Sequence, residues 1–246
     1  NKHLNPGEKK MRNQSTKSTQ QNAAKIAGIS YLLVLIIPML AGIFIDPMIT
    51  VEGDLRTTAQ NILANHVLFN LSNAINLLMF TGVVILALAL YQILKPVNKQ
   101  LAALALVWRL MEAIIGCLGV LCSLAAFRLL RGENFTNLFG QEQLEAMVGF
   151  LLDSYWTVTI IVFVFLALGS IICFYLFHKS NYIPKFLSIW GMISYSLVLI
   201  GAFISILFSN DAYMYLGAQA ILFEVVIGLW LLIRGINEEV TLSPAE

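Results

Sequence analysis

Apolar positions along this chain gather into six long blocks separated by short polar stretches, at about residues 26–45, 66–94, 101–130, 152–177, 183–208 and 213–233. Each block reaches the roughly 20 residues that an α-helix needs to cross about 30 Å of hydrocarbon. The pattern therefore predicts an all-α, polytopic membrane protein built as a bundle of six transmembrane helices. The second and third blocks exceed the minimum, so their ends should lie in the interface or the helices should tilt. Pro38 should kink the first helix. That first block is too long for the core of a signal peptide, and Gly42 to Asp46 make a poor cleavage site.

Polar segments complete the predicted organisation. Residues 1–24 read as a disordered polar tail, because their Lys, Ser, Thr, Gln and Asn cannot bury enough surface to order themselves. Residues 25–237 form the six-helix domain, and 238–246 a short C-terminal tail. Between the blocks, Thr57 to Asn65 and Gln141 to Leu151 both have helical spacing of apolar residues. Each is expected either to lie as a short helix on the membrane surface or to extend the helix that follows. Tyr91 to Leu101 and Tyr175 to Leu187 share the order Tyr, Lys, Pro, Lys, Leu across a turn, from a repeated hairpin or from turn chemistry that arose twice.

Composition agrees with the pattern: 59% of the 246 residues are hydrophobic, 12% are charged, and mean hydropathy is +0.80, beyond what a soluble domain carries. The lipid bilayer is the expected surrounding partner. A net charge of +1 gives no support to nucleic-acid binding, but its distribution is uneven. With six spans both termini share a side, and that side carries eleven of the fifteen Lys and Arg, while the opposite loops hold three Arg and eight carboxylates. By the positive-inside rule the N and C termini are expected to be cytoplasmic. Cys117, Cys122 and Cys173 all fall within apolar blocks without a CxxC or Cys/His cluster, so they read as small core residues.

Charge inside the hydrocarbon is the exception that marks a candidate site. An arginine or carboxylate at the centre of a membrane helix costs at least about 2.5 kcal/mol, so such residues face inward and pair. On the third helix Ala102, Ala105, Arg109, Glu112, Gly116, Gly119 and Ser123 recur every three or four residues and share one small, polar face. Glu112 lies about 16 Å beyond Leu101, near the midplane. Gly217, Ala220, Glu224 and Gly228 form a similar seam on the sixth helix at matching depth. On the second helix Asn70, Asn73 and Asn76, continuing from His66, make a stripe that either lines a pocket or bonds to neighbouring helices. Arg109, Glu112 and Glu224, with the three asparagines, are the candidate ligand or proton site. With one guanidinium against two carboxylates, one glutamate is expected to hold a proton.

Catalytic signatures are missing from the sequence: no GxSxG elbow, HExxH, phosphate-binding loop or dinucleotide fingerprint occurs. His3, His66 and His178 fall on opposite sides, so they cannot share a zinc ion. No catalytic residue, metal ligand or cofactor is assigned.

Several blocks recur together: Gly53-Asp54, Thr57 to Leu63, Leu68 to Asn70, Tyr91 to Asn98, Leu101 to Ala113, Ile183 to Lys185 with Trp190-Gly191, and Leu222 to Gly235. In this order they resemble the bacterial multi-pass membrane family called domain of unknown function 4386, over about Ala24 to Asn237. The resemblance implies six helices in a bacterial cytoplasmic membrane and supplies no activity. It also implies arginine where this chain has Asn70 and aspartate where it has Asn76, so a charge pair there is not carried over.

The sequence reading is thus a membrane protein without catalytic activity whose polar centre binds a small ligand, ion or proton, as a sensor or carrier does. An intramembrane enzyme acting on lipid is the second reading, and an accessory subunit of a membrane complex the third.

Overall fold

The computed structural model describes residues 6–132 and 140–237. Among them are seven α-helices and no strand: α1 (Pro6–Phe44), α2 (Leu55–Ala64), α3 (His66–Leu94), α4 (Lys99–Arg131), α5 (Gln141–Ser180), α6 (Lys185–Phe208) and α7 (Gln219–Ile233). Six segments are long and apolar enough to cross a membrane, and α2 is not among them. The chain is a multi-pass membrane protein.

These six segments stand in a ring. α1 packs on α3, α3 on α4, α4 on α5, α5 on α6 and α6 on α7, and α7 closes the ring against α1. Closure is a backbone contact. A Cβ on Gly28 of α1 would lie 2.5 Å from the amide of Leu232 and 2.7 Å from the carbonyl of Gly228, both on α7. Only glycine admits so close a crossing, which in lipid supplies the dispersion that holds helices together. Large apolar side chains such as Leu33, Ile43, Leu78, Ile114, Ile200 and Leu229 cover the outside of the ring.

The half of the ring that carries both termini, here called the terminal half, is solid. One buried cluster draws residues from all six helices, among them Ala27, Leu90, Ala102, Phe174, Tyr195 and Phe223. Phe223 meets Phe174 edge-on at 4.9 Å and Trp190 at 5.3 Å between centroids, and Phe174 stacks on Tyr195. Such aromatic pairs add about 0.5–1.5 kcal/mol each beyond area burial. Gly191 makes room for them, since a Cβ there would fall 2.6 Å from Phe174 and 2.7 Å from Phe223.

Several expectations change. α1 begins at Pro6, so the segment expected as a loose tail is helical from that residue. Its docked turn is held by distant partners: Gln20 donates to the Ile93 carbonyl at 3.0 Å, Gln21 accepts from the Ile236 amide at 3.0 Å, and Ala23 and Ala24 are buried. Pro38 lies inside this continuous helix. Residues 1–5 and the expected tail 238–246 lie outside the described residues.

The distal polar segments behave differently from one another. Gln141 to Leu151 simply extends α5. Thr57 to Asn65 belongs to a separate helix, because Asn65 leaves helical geometry while its amide and side chain both donate to the Asn61 carbonyl. α2 starts on Asp54, whose carboxylate accepts from the Thr57 hydroxyl at 2.6 Å and from the Thr57 amide at 2.9 Å. Those bonds, the hydroxyl first, hold the Asp54 carboxyl below its usual range. Ile62, Phe69 and Phe127 then cluster where α2 lies against the distal ends of α3 and α4.

Three further points differ from the sequence reading. The last span does not begin as an α-helix at 213: Asp211–Gly217 is a 3-10 stretch that runs back along α6 until Gly217 meets Val198, and only then does α7 start. Of the cysteines only Cys173 is buried, and Cys117 is exposed on the outside of the ring. The two similar turns are also built differently. Asn98 caps α4 by accepting from the Leu101 amide at 2.9 Å, whereas Asn181 ends α5 in the left-handed conformation at φ 54°.

Candidate functional site

Above the solid half, the ring is hollow. A cavity of about 850 Å³ reaches from Arg109, Glu112 and Glu224 to Tyr155, Trp156 and Tyr215 near the distal end, with walls from every helix of the ring. The small-residue face of α4 makes room for it. All seven residues of that face are buried, and Gly116 and Gly119 line the cavity beside the ionic pair. Gly116 also admits the Phe80 ring, which any Cβ there would overlap.

The floor of this chamber is the polar centre expected from the sequence. Arg109 and Glu112 are one turn apart on α4, 2% and 4% exposed, with Nη1 and Oε2 separated by 2.8 Å. They meet as charges without the alignment of a hydrogen bond. Gly169 of α5 seats the arginine: a Cβ there would sit 2.9 Å from Arg109 Cγ and 3.2 Å from the Ala105 carbonyl. Glu224 of α7 is half-buried and accepts a hydrogen bond from the Tyr195 hydroxyl at 2.8 Å. Arg109 lies within electrostatic range of Glu224, Tyr31 and Tyr195 as well as Glu112. Three ring members, α4, α6 and α7, therefore converge on one layer, and α1 adds Tyr31.

The asparagine stripe divides. Asn76 borders the chamber, although its amide donates to the Ser72 carbonyl of its own helix at 3.1 Å. Asn73 is buried and donates likewise to the Phe69 carbonyl at 2.9 Å. Asn70 is half-buried and does not line the chamber. The stripe is thus neither a continuous pocket wall nor, for Asn73 and Asn76, a set of bonds between helices. A local acceptor four residues back competes with any distant one.

Tyr31 and Tyr195 were not singled out from the sequence. Each sits alone in an apolar block, and the only available signal is that a tyrosine buried in a membrane span needs a partner for its hydroxyl. Tyr195 has Glu224. The Tyr31 hydroxyl has none among the described residues, and neither has Arg109 Nε. Both residues line the chamber.

Above this floor the walls are apolar, formed by Val34, Met79, Val83, Val158, Val162 and their neighbours, with Asn76 and Thr159 among the few polar side chains. Met39 and Ile221, on the distal halves of α1 and α7, line the chamber and are 42% and 47% exposed. Gln219, at the start of α7, is fastened to α6 by the Ser194 hydroxyl at 2.7 Å and the Trp190 indole at 3.2 Å, which fixes the distal end of α7.

The arrangement has the form of a binding site: a concave, mostly apolar space with a few convergent polar groups at one end. Among the described residues no group of three His, Cys, Asp or Glu is close enough to hold a metal ion. No curated protein and no solved structure matches the chain. Residues 26–235 match the family described as domain of unknown function (DUF4386), and the chain belongs to that family.

Proposed function

We propose that the chamber is a binding site for a small ligand and that the protein works without catalysis, as a sensor or carrier whose helices respond to occupancy. The observation that carries this reading is the cavity of about 850 Å³ ending on Arg109, Glu112 and Glu224. A structural ion pair alone needs no empty volume beside it, and unfilled space in a membrane bundle sacrifices packing. Asn76 belongs to the wall of this site, while Asn70 and Asn73 stand outside or turn away from it.

We further propose that both termini are cytoplasmic and that the membrane is the bacterial cytoplasmic membrane. The first is supported by the excess of Lys and Arg on the terminal side. The second is supported by the family resemblance. In this orientation the chamber faces away from the cytoplasm, and the Phe174, Trp190 and Phe223 block bars passage inward.

Reagent access tests the proposal. Thr159 lines the chamber, and Thr159→Cys should be modified by a water-soluble thiol reagent added on the side away from the termini, faster than the parent chain with its native cysteines. No modification above the parent from either side would overturn the reading and leave a sealed bundle, the form expected of an accessory subunit.

An intramembrane enzyme acting on lipid keeps one observation in its favour, the exposure of the chamber-lining Ile221, one turn from Glu224. Against it stand the engagement of both carboxyls, Glu112 with Arg109 and Glu224 with Tyr195.

A further inference from the structure

We infer, building on the reading of the chamber as a ligand site, that its ligand is an uncharged and largely apolar molecule. It carries a hydrogen-bond-accepting oxygen such as a carbonyl, and it enters from the lipid between the distal halves of α1 and α7.

The chemistry of the unpartnered groups sets the head of this molecule. Arg109 and Tyr31 line the cavity and are 2% exposed, and the buried Arg109 Nε and Tyr31 hydroxyl lack a hydrogen-bond partner among the described residues. A buried donor left unmade costs about 1–3 kcal/mol. Both can donate, so the missing partner is an acceptor. Of the acceptors in the same layer, Glu224 receives the Tyr195 hydroxyl, and Glu112 Oε2 is held as the charge partner of Arg109 Nη1 at 2.8 Å without a hydrogen bond.

Charge argues for a neutral molecule. An anionic head would add a third negative group to a layer with one guanidinium, in a medium where uncompensated charge is expensive. A cationic head would approach the guanidinium while offering nothing to the two free donors. Either charge would also have to cross acyl chains to enter from the lipid, at about 2.5 kcal/mol or more.

Shape sets the rest. The walls above the floor are apolar, and the route of entry is bordered by Met39 and Ile221, which are themselves exposed to lipid. At Gly28 and Gly228 α1 and α7 touch backbone to backbone. That crossing holds the terminal ends together, so entry between these helices is left to the distal halves alone. A ligand drawn from the bilayer would therefore slide in with its apolar body along the walls and its oxygen toward Tyr31 and Arg109.

The Thr159→Cys protein in lipid nanodiscs supplies the test, by protection from the thiol reagent. Decanone, decane, decanoate and decylammonium would be compared at equal concentration in the membrane. Decanone should protect at about fivefold lower concentration than decane, the effect of one net hydrogen bond. Tyr31→Phe, which keeps the ring but removes one of the two donors, should shrink that advantage and leave decane unchanged. Equal protection by decane, better protection by either charged probe, or an advantage undiminished in Tyr31→Phe would each overturn the inference while the chamber stands. Failure of Thr159→Cys to react at all would instead remove the site itself.

Discussion

Removing one member of the Arg109–Glu112 pair should expose an asymmetry that a simple two-residue bridge would not have. At 2.8 Å and an effective dielectric near 20, opposite unit charges attract by about 6 kcal/mol before the opposing cost of desolvation. Breaking a buried pair by losing one partner costs about 3–5 kcal/mol, because the other charge is left without compensation. Here the two losses are unequal. Glu112→Gln leaves Arg109 still within range of Glu224, whereas Arg109→Gln leaves two carboxyls with no guanidinium. Arg109→Gln should therefore sit at the upper end of that range and Glu112→Gln at or below the lower end. The double substitution should cost at least about 1 kcal/mol less than the sum of the two, as residues in direct contact do. Reversible unfolding of the purified protein in mixed micelles, by titration with dodecyl sulfate, measures all three. Additivity within about 0.5 kcal/mol, or a larger loss from Glu112→Gln than from Arg109→Gln, would refute the picture of one base shared by two acids.

Three other outcomes are expected. Gly28→Ala should destabilise by about 1–3 kcal/mol in the same assay, since its Cβ meets backbone at 2.5 Å; Gly42→Ala, whose nearest neighbour would be 3.8 Å away, should be neutral or slightly stabilising, and equal effects would disprove the close crossing. Tyr195→Phe should shift the infrared carboxyl band that disappears in Glu224→Gln; an unmoved band would mean that the 2.8 Å hydrogen bond is not made. Asp54→Ala should speed hydrogen exchange of the first α2 amides, and the wild-type protection should itself depend on pH. The carboxyl is held lower in the folded chain than in the unfolded one, so the cap is at full strength above the ordinary Asp range and fades as pH falls through it toward the depressed folded value. Protection that is flat across that window would contradict the cap.

Much of the architecture was legible because lipid allows few solutions. Six apolar blocks had to be six helices, and the second block matches α3 residue for residue at His66–Leu94. The face of α4 was legible too, since small and charged residues at helical spacing inside hydrocarbon can only point inward, and all seven proved buried. What escaped the sequence depended on partners far along the chain. The docking of Gln20 and Gln21 rests on Ile93 and Ile236, which no local composition reveals. Asn73 and Asn76 turned to carbonyls four residues back rather than to other helices, a local competition that spacing alone does not decide. Tyr31 resembled any other aromatic residue in an apolar block. Only the cavity beside it gives its hydroxyl a meaning.

The spacing of Arg109 and Glu112 on a single helix also bears on how the chain enters a bilayer. A segment whose acid and base lie one turn apart carries its own neutralisation, so α4 can leave the translocation machinery with its charges already cancelled. Glu224 arrives only with the third further span, after α5 and α6. Assembly thus has an order: the self-cancelling segment waits in the lipid, and the lone acid is delivered last, to a place where a tyrosine and a guanidinium already stand.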